Sequence, residues 1–235
     1  MKFLLTNDDG IDAPGLAALI ESVRAALSPG DSILVAAPDR GRSECGHSVT
    51  TGRGLMTKRV DVDHYSVDGT PVDCVRAFAM SHGIDAVLSG VNAGANLGVD
   101  LLVSGTFAAA REAASHGIPA MAISHYRRPD MKKTWLHVPT WTREILGEFR
   151  QTARETVHPT PLWNVNLPAV DPDGPVPEIV QCEVDVRPHA REVTHADGAV
   201  TFGMNFQARP REPGRDVDQC FAGKITLSRL GFTVG

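Results

Sequence analysis

The chain has 235 residues, which is enough for one well-buried core, and its 42% hydrophobic and 22% charged residues are ordinary for a globular protein. Its formal net charge is −5 and it has no dense run of Lys or Arg, which argues against a stable nucleic-acid complex or binding to a membrane surface. Its four scattered cysteines lack a C-x-x-C pair and predict reduced thiols in a cytoplasmic protein, not a disulfide framework or a zinc site.

Apolar strands alternate with amphipathic helices through the first 125 residues. A buried strand at 2–6 is followed by a helix over 13–27, in which Pro14 suits the first turn. Thr70 is the predicted N-cap of a second helix, with Pro71 after it. The other predicted elements are a strand at 32–38, a hairpin over 54–67, a strand at 85–90, a helix over 105–117 and a strand at 119–124. This alternation predicts an α/β fold with a Rossmann-like, mostly parallel sheet and helices on both faces.

The pattern loosens beyond residue 125. A helix is predicted over 140–157 and a strand over 162–168, after which Pro and Gly cluster between short β-like runs. A final strand is predicted over 224–230. We therefore expect one domain spanning 1–235, with a core of about 1–168 and an accessory β-rich C-terminal arm of about 169–235.

Polar residues follow several of the predicted strands. "TNDDG" follows the first strand, "PDRGRS" the second and "SGVN" the strand at 85–90, while "VSGT" stands before the helix over 105–117. The carboxyl ends of parallel strands meet at one edge of a sheet, so these segments predict one polar cleft. Asp8 and Asp9 are adjacent like charges, which repel unless a cation or hydrogen-bond donors lie between them.

The residue types in this cleft indicate its chemistry. Asp, Ser and Asn supply only oxygen donors, which suit Mg²⁺, Mn²⁺ or Ca²⁺ better than zinc. The helix that opens at "SGT" offers unpaired backbone N–H groups and the hydroxyls of Ser104 and Thr106, which together favour a phosphate. A hard cation beside a phosphate site predicts metal-assisted hydrolysis of a phosphate ester.

Five segments of the chain resemble the SurE (survival protein E) nucleotidase family. They are "TNDDGIDAPGL", "VAAPDRGRSECGHS", "GTPVDCV", "LSGVNAGANLGVDLLVSGTFAAAREAASHGIPAMAIS" and "NVNLP". The resemblance implies a divalent-metal-dependent phosphatase that acts on nucleoside monophosphates as a 5′-nucleotidase, with 3′-nucleotidase and exopolyphosphatase activities as further expectations. It also implies one Mg²⁺ or Mn²⁺ ion per subunit, a small-molecule nucleotide as the substrate, and a homodimer or homotetramer that exchanges C-terminal arms.

The resemblance also carries functional residues onto this sequence. The implied metal ligands are Asp8, Asp9, Ser43 and Asn92, and the implied phosphate-binding residues are Asn96, Ser104, Gly105 and Thr106. Asp8 and Asp9 are the expected catalytic residues, and Asp9 either accepts the proton of the attacking water or orients that water. Glu44 directly follows the ligand serine, where a carboxylate would either compete for the metal, repel a second phosphate or bond a ribose hydroxyl.

Several alternatives remain open at this stage. The main one is a non-catalytic module that binds a nucleotide or phosphate without turnover. A Rossmann-type dinucleotide enzyme is disfavoured because "TNDDG" replaces G-x-G-x-x-G after the first strand. An aspartyl-phosphate intermediate is disfavoured because the two Asp residues are adjacent and do not form D-x-D. His47 is either a structural, hydrogen-bonded histidine or a residue that approaches the substrate.

Overall fold

The computed structural model describes residues 1–43, 45–155, 158–188, 192–203 and 206–231, and Glu44 lies outside this set. Its strands are β1 Lys2–Thr6, β2 Ser32–Pro38, β3 Thr57–Asp61, β4 His64–Val67, β5 Ala86–Asn92, β6 Ala120–His125, β7 Pro161–Leu167, β8 Ile179–Gln181, β9 Glu192–Ala196, β10 Ala199–Gly203 and β11 Ile225–Gly231. Its helices are α1 Pro14–Ala26, α2 Pro71–Phe78, α3 Gly105–Ser115, α4 Val138–Thr152 and α5 Asp216–Phe221, and a 3₁₀ helix spans Gly98–Leu102.

Nine of the strands in the described part of the chain form one sheet, in the order β3-β4-β2-β1-β5-β6-β7-β11-β8. Neighbouring strands from β4 to β7 run parallel, whereas β3 pairs antiparallel with β4 and β11 pairs antiparallel with β7. This arrangement confirms the predicted α/β fold with a mostly parallel sheet. It places β1 between β2 and β5, so the ends of these three strands are neighbours.

Helices cover both faces of the sheet because successive side chains of a strand point to opposite sides. Phe3 and Leu5 of β1 pack in the apolar cluster that contains α1 and α4, whereas Leu4 packs in the cluster that contains α2 and α3. The predicted cap of α2 is present, since the Thr70 side chain accepts a hydrogen bond from the Asp73 backbone N–H. Within the described residues, no helix has the length and apolar character needed to cross a membrane.

The region after residue 168 differs in detail from the sequence-based expectation. The predicted final strand, β11, lies in the main sheet between β7 and β8. The hairpin of β9 and β10 forms a separate two-stranded sheet whose residues are all exposed. The short helix α5 was not expected from the sequence pattern. The predicted helix over 140–157 is α4, which ends at Thr152, and residues 156 and 157 lie outside the described part.

Candidate active site

The loops after β1, β2 and β5 are tied together by backbone hydrogen bonds at the carboxyl edge of the sheet. The Arg42 N–H donates to the carbonyl oxygen of Asp8 at 2.6 Å, which joins the loop after β2 to the end of β1. The Ala93 N–H donates to Oδ2 of Asp9 at 3.1 Å, which joins the loop after β5 to the same segment. The structure therefore brings the polar segments predicted from the sequence into one site.

Asp8 lies against the first turn of α3. Its side chain is buried, and Oδ1 accepts a hydrogen bond from the Thr106 hydroxyl at 2.6 Å. Gly105 allows this approach, because a Cβ at position 105 would lie only 3.0 Å from Cβ and Oδ2 of Asp8. The helix N-terminus that the sequence assigns to phosphate binding is thus in direct contact with one of the paired carboxylates.

The environment of Asp8 favours a cation. Burial, with a smaller contribution from the negative charge of Asp9, raises the pKa of the Asp8 carboxyl to about 6, against the opposing effect of the Thr106 hydrogen bond. A positive charge beside the pair would stabilise the ionised form and reverse this shift.

Asn7 and Gly10 shape the turn that presents the two carboxylates. Nδ2 of Asn7 donates to the carbonyl oxygen of Gly10 at 2.9 Å, and the Gly10 N–H donates back to Oδ1 of Asn7. Gly10 has a φ of 106°, and a Cβ there would lie 3.0 Å from the carbonyl carbon of Arg40. A residue other than glycine would be strained at this position. These two residues act as turn formers.

The two asparagines after β5 have different surroundings. Nδ2 of Asn92 donates to the carbonyl oxygen of Gly94 at 2.9 Å, so the amide oxygen is the atom that would meet a metal. Asn96 is buried, and its Nδ2 donates to Oγ of Ser124 at 2.7 Å. Its backbone N–H donates to Asn166, and its carbonyl oxygen accepts from Asn164 and Asn166. The asparagines of "NVNLP" thus anchor the loop that carries Asn96.

Ser104 and Ser43 differ in their surroundings. Ser104 is the N-cap of α3, and its Oγ accepts a hydrogen bond from the Phe107 N–H at 3.0 Å. The Ser104 hydroxyl accepts this bond and keeps its own proton to donate, so an anion would meet this O–H together with the first-turn N–H groups of Gly105 and Thr106. Ser43 is exposed in the loop after β2.

Glu112 is a residue of the site region that the sequence reasoning missed. It is a buried carboxylate on α3 that accepts hydrogen bonds from Arg76, from His47 Nε2 at 2.8 Å and from His116 Nε2 at 3.0 Å. Burial alone would raise the pKa of Glu112, but these donors outweigh it and hold the pKa below its usual value. A glutamate within the Ala-rich helix "AAAREAAS" was the available sequence signal.

His47 links the loop that carries Ser43 to this buried carboxylate. Nε of Arg111 donates to Nδ1 of His47 at 3.1 Å, so the ring proton resides on Nε2 and points to Glu112. The structure therefore gives His47 the structural, hydrogen-bonded role, since its ring nitrogens are both used. This anchor lies four residues after Ser43 in the sequence.

The donor set fits a hard divalent cation. Asp8 and Asp9 with the oxygens of Ser43 and Asn92 are all oxygen donors, as Mg²⁺ and Mn²⁺ prefer. Within the residues that the structure describes, no group of three or more His, Cys, Asp or Glu side chains is placed to hold a metal ion. A site here depends on neutral oxygens as well as the two carboxylates.

The fold is that of an α/β protein, in which ligands bind outside the carboxyl ends of the parallel strands. At this edge of the sheet, the paired carboxylates of Asp8 and Asp9 meet the N-terminus of α3. The family model described as survival protein SurE matches residues 3–189. The chain belongs to the SurE family.

Relatives of similar length support this membership. A protein from Nostoc sp. (strain PCC 7120) is 43% identical over 232 residues, which cover 98% of this chain and 99% of the relative. The 5′-nucleotidase SurE of Citrifermentans bemidjiense is 38% identical over 245 residues, covering 98% of this chain and 92% of the relative. The crystal structure of the SurE protein from Aquifex aeolicus matches with a TM-score of 0.82 and 29% identity, covering 100% of this chain and 95% of the other.

Proposed function

We propose that this protein is a divalent-metal-dependent phosphatase that hydrolyses nucleoside monophosphates to nucleoside and phosphate. The observation that carries the proposal is the contact between Asp8 and Thr106, which joins a carboxylate pair to a helix N-terminus. Membership of the SurE family makes the chain a phosphoric monoester hydrolase. The 5′-nucleotidase names of the relatives from Citrifermentans bemidjiense and Neisseria meningitidis support the 5′ position, and 3′-nucleotidase and exopolyphosphatase activities are proposed beside it.

In this mechanism, Asp8, Asp9, Ser43 and Asn92 hold one Mg²⁺ or Mn²⁺ ion per subunit. Such an ion, when bound, lowers the pKa of water and offsets negative charge on the phosphoryl oxygens. The N–H groups at the start of α3, at Gly105 and Thr106, bind the phosphoryl oxygens with the aid of the helix dipole. Asp9, whose Oδ2 is oriented by the Ala93 N–H, orients the attacking water and takes its proton. Asn96, whose Nδ2 donates to Ser124, and the Ser104 hydroxyl complete the proposed phosphate-binding set.

The test is phosphate release from a panel of 5′- and 3′-nucleoside monophosphates with Mg²⁺ or Mn²⁺, with EDTA, and with Asp9→Asn. We expect metal-dependent release that EDTA and Asp9→Asn both abolish. Asp12→Asn is the matched control, since this exposed aspartate lies three residues away and should retain activity. No release with any metal, from folded protein that still binds nucleotide, would favour the non-catalytic binding module.

A homodimer or homotetramer is proposed from the separate hairpin of β9 and β10. Val193, Val200 and Phe202 on this hairpin are 51%, 49% and 73% exposed, which is unusual for apolar side chains on one small sheet. Light scattering coupled to size exclusion should give a mass of at least two chains, and Phe202→Ser should lower it.

The four cysteines are free thiols, which supports a cytoplasmic location.

A further inference from the structure

A cavity of about 380 Å³ lies beside Ala93, which is in direct contact with the carboxylate pair. Its lining includes residues 93–95, Tyr126, Phe206 and Gln207. Ala93 belongs to both places, because it lines the cavity and its N–H donates to Oδ2 of Asp9. A molecule held by its phosphate at the start of α3 would therefore extend over this loop into the cavity.

Aromatic rings form the wall of this cavity. The ring centroids of Tyr126 and Phe206 are 5.7 Å apart, and Tyr126 is stacked on Phe221 at 4.9 Å. The Phe206 and Phe221 centroids are 5.6 Å apart, so the three rings support one another. A wall of this kind suits a flat aromatic ligand, since aromatic side chains stack on nucleobases with little dependence on sequence or base type.

Guanidinium groups lie near these rings and this cavity, and that of Arg209 is 5.1 Å from the Phe206 centroid. The Arg127 guanidinium lies 3.8 Å from the centroid of the Trp135 ring and also lines the cavity. Arg211 lies 5.2 Å from the Phe221 centroid and lines an adjoining cavity of about 230 Å³, which shares Tyr126 and Gln207 with the first. Planar groups held in this way offer several N–H donors to the oxygens and ring nitrogens of a base or to a ribose hydroxyl.

The other cavities fit such a ligand less well. The cavity of about 490 Å³ beside β8 and β11 lies at the far side of the sheet from β1 and β5. The cavity beside His125 and His137 measures about 40 Å³, which is too small for a nucleoside. The volume beside Ala93 falls within the range of about 300–1,000 Å³ that is usual for small-molecule sites.

We propose that the cleft formed by residues 93–95, Tyr126, Phe206 and Gln207, together with the adjoining cavity that Arg211 lines, is the nucleoside subsite, with the base stacked on the Phe206 ring and the ribose lying across residues 93–95. This proposal rests on the proposed function, because it takes the phosphoryl group to be held beside Asp8 and Asp9. It makes Phe206 a specificity-determining residue that favours nucleotides over phosphate esters without a base.

The kinetic test compares 5′-AMP with ribose 5-phosphate, which carries the same ester without the base. Phe206→Ala should raise KM for 5′-AMP by about tenfold to a hundredfold, the usual contribution of one stacked base, and leave KM for ribose 5-phosphate unchanged. Phe206→Tyr keeps the ring and should behave like the unmodified protein. Leu136→Ala is the control, since this side chain is 85% exposed and lies outside the cleft. Equal effects of Phe206→Ala on both substrates, or no effect on either, would overturn the subsite.

A binding measurement separates this proposal from the phosphatase assignment. Adenosine has no phosphate, so its titration into the protein by calorimetry reports the subsite whether or not any ester is cleaved. We expect adenosine to bind, and Phe206→Ala to weaken that binding. If Phe206→Ala fails to fold, Arg211→Gln alters an exposed side chain and should weaken adenosine binding by a smaller factor. Absence of adenosine binding, or binding that neither variant weakens, would overturn the subsite even if phosphatase activity is found.

Discussion

The candidate site has a buried half and an exposed half. The buried half consists of Asp8, Gly105 and Thr106, where a carboxylate, a glycine and a hydroxyl are packed within direct contact of one another. The exposed half is the loop that follows β2, in which Ser43 is exposed and hydrogen bonds to buried groups anchor the backbone on either side of it. Those anchors are the Arg42 N–H on Asp8, His47 on Glu112, and Thr50 on Asp73.

This difference predicts how each half responds to substitution. A packed interior has little room for added atoms, so changes in the buried half should act directly on the chemistry. The exposed half takes its position from hydrogen bonds to buried groups, so removing an anchor should act through the position of the loop. The predictions that follow test this distinction, in order of decreasing expected effect.

The largest effect is expected for Gly105→Ala. The new Cβ would lie 3.0 Å from Cβ and Oδ2 of Asp8, so the carboxylate or the helix start must shift. We expect a loss of at least about a hundredfold in kcat/KM for 5′-AMP, since misplacement of about 1 Å has effects of this size. Gly147→Ala is the control, because Gly147 lies in α4 with no heavy atom within 4 Å of its added Cβ. Full activity of Gly105→Ala would contradict the tight packing of the buried half.

Thr106→Val should have the next largest effect. Valine keeps the shape of threonine but removes the hydroxyl that donates to Asp8 at 2.6 Å. A buried acceptor left without its donor costs about 1–3 kcal/mol, which corresponds to roughly 5-fold to 150-fold in kcat/KM if the change acts on catalysis. Thr106→Ser restores the hydroxyl and should recover most of the activity in the same assay. Equal activity of the valine and serine variants would show that this hydrogen bond is not needed.

Glu112→Gln tests the anchoring of the exposed half. Glutamine keeps the size but loses the charge that holds Arg76, His47 and His116. We expect about a tenfold lower affinity for Mn²⁺, the size usual for groups that support metal ligands, with kcat largely recovered at saturating metal. Glu144→Gln, on an exposed residue of α4, is the control. A fall in kcat that excess metal does not correct would contradict a role through loop position.

The smallest effect on activity is expected for a buried pair outside both halves, His125 and His137. Nδ1 of His125 donates to the Tyr126 carbonyl oxygen, so its Nε2 accepts from Nε2 of His137 at 2.8 Å. Burial lowers the pKa of His125 to about 3 and that of His137 to about 4, with the charge of Arg127 adding to the shift. Both rings are therefore neutral in the folded protein at neutral pH.

These pKa values predict acid lability. Between about pH 6.5 and pH 4 the unfolded chain binds protons that the folded protein does not, so the free energy of unfolding should fall as the pH falls. The loss is at most about 1.4 kcal/mol per pH unit for each histidine. His137→Gln keeps a donor for His125 but removes one titrating ring. The slope of the free energy of unfolding against pH, measured by urea unfolding at pH 7, 6 and 5, should therefore fall by the contribution of one histidine. An unchanged slope would contradict the assignment.

The sequence by itself determined the parts of this protein that depend on neighbouring residues. The strand and helix periodicities, the capping of α2 by Thr70 and the turn formed by Asn7 and Gly10 follow from local side-chain chemistry. Parallel strands meet at a common edge, so the convergence of the segments after β1, β2 and β5 could be predicted as well. The residues of the sequence motifs were also sufficient to identify the SurE family, and the match to the family model confirms that identification.

The tertiary structure alone decided which distant residues support the site. Nothing local to Asn96 indicates that Asn164 and Asn166 hold it from about 70 positions away. Nor does anything local to His47 indicate that Glu112 holds it from 65 positions away. The same is true of the rings of Tyr126, Phe206 and Phe221, and of β11, which joins the main sheet beside β7. These contacts arise when separate elements pack, and neither periodicity nor capping in one segment specifies which other segment it will meet.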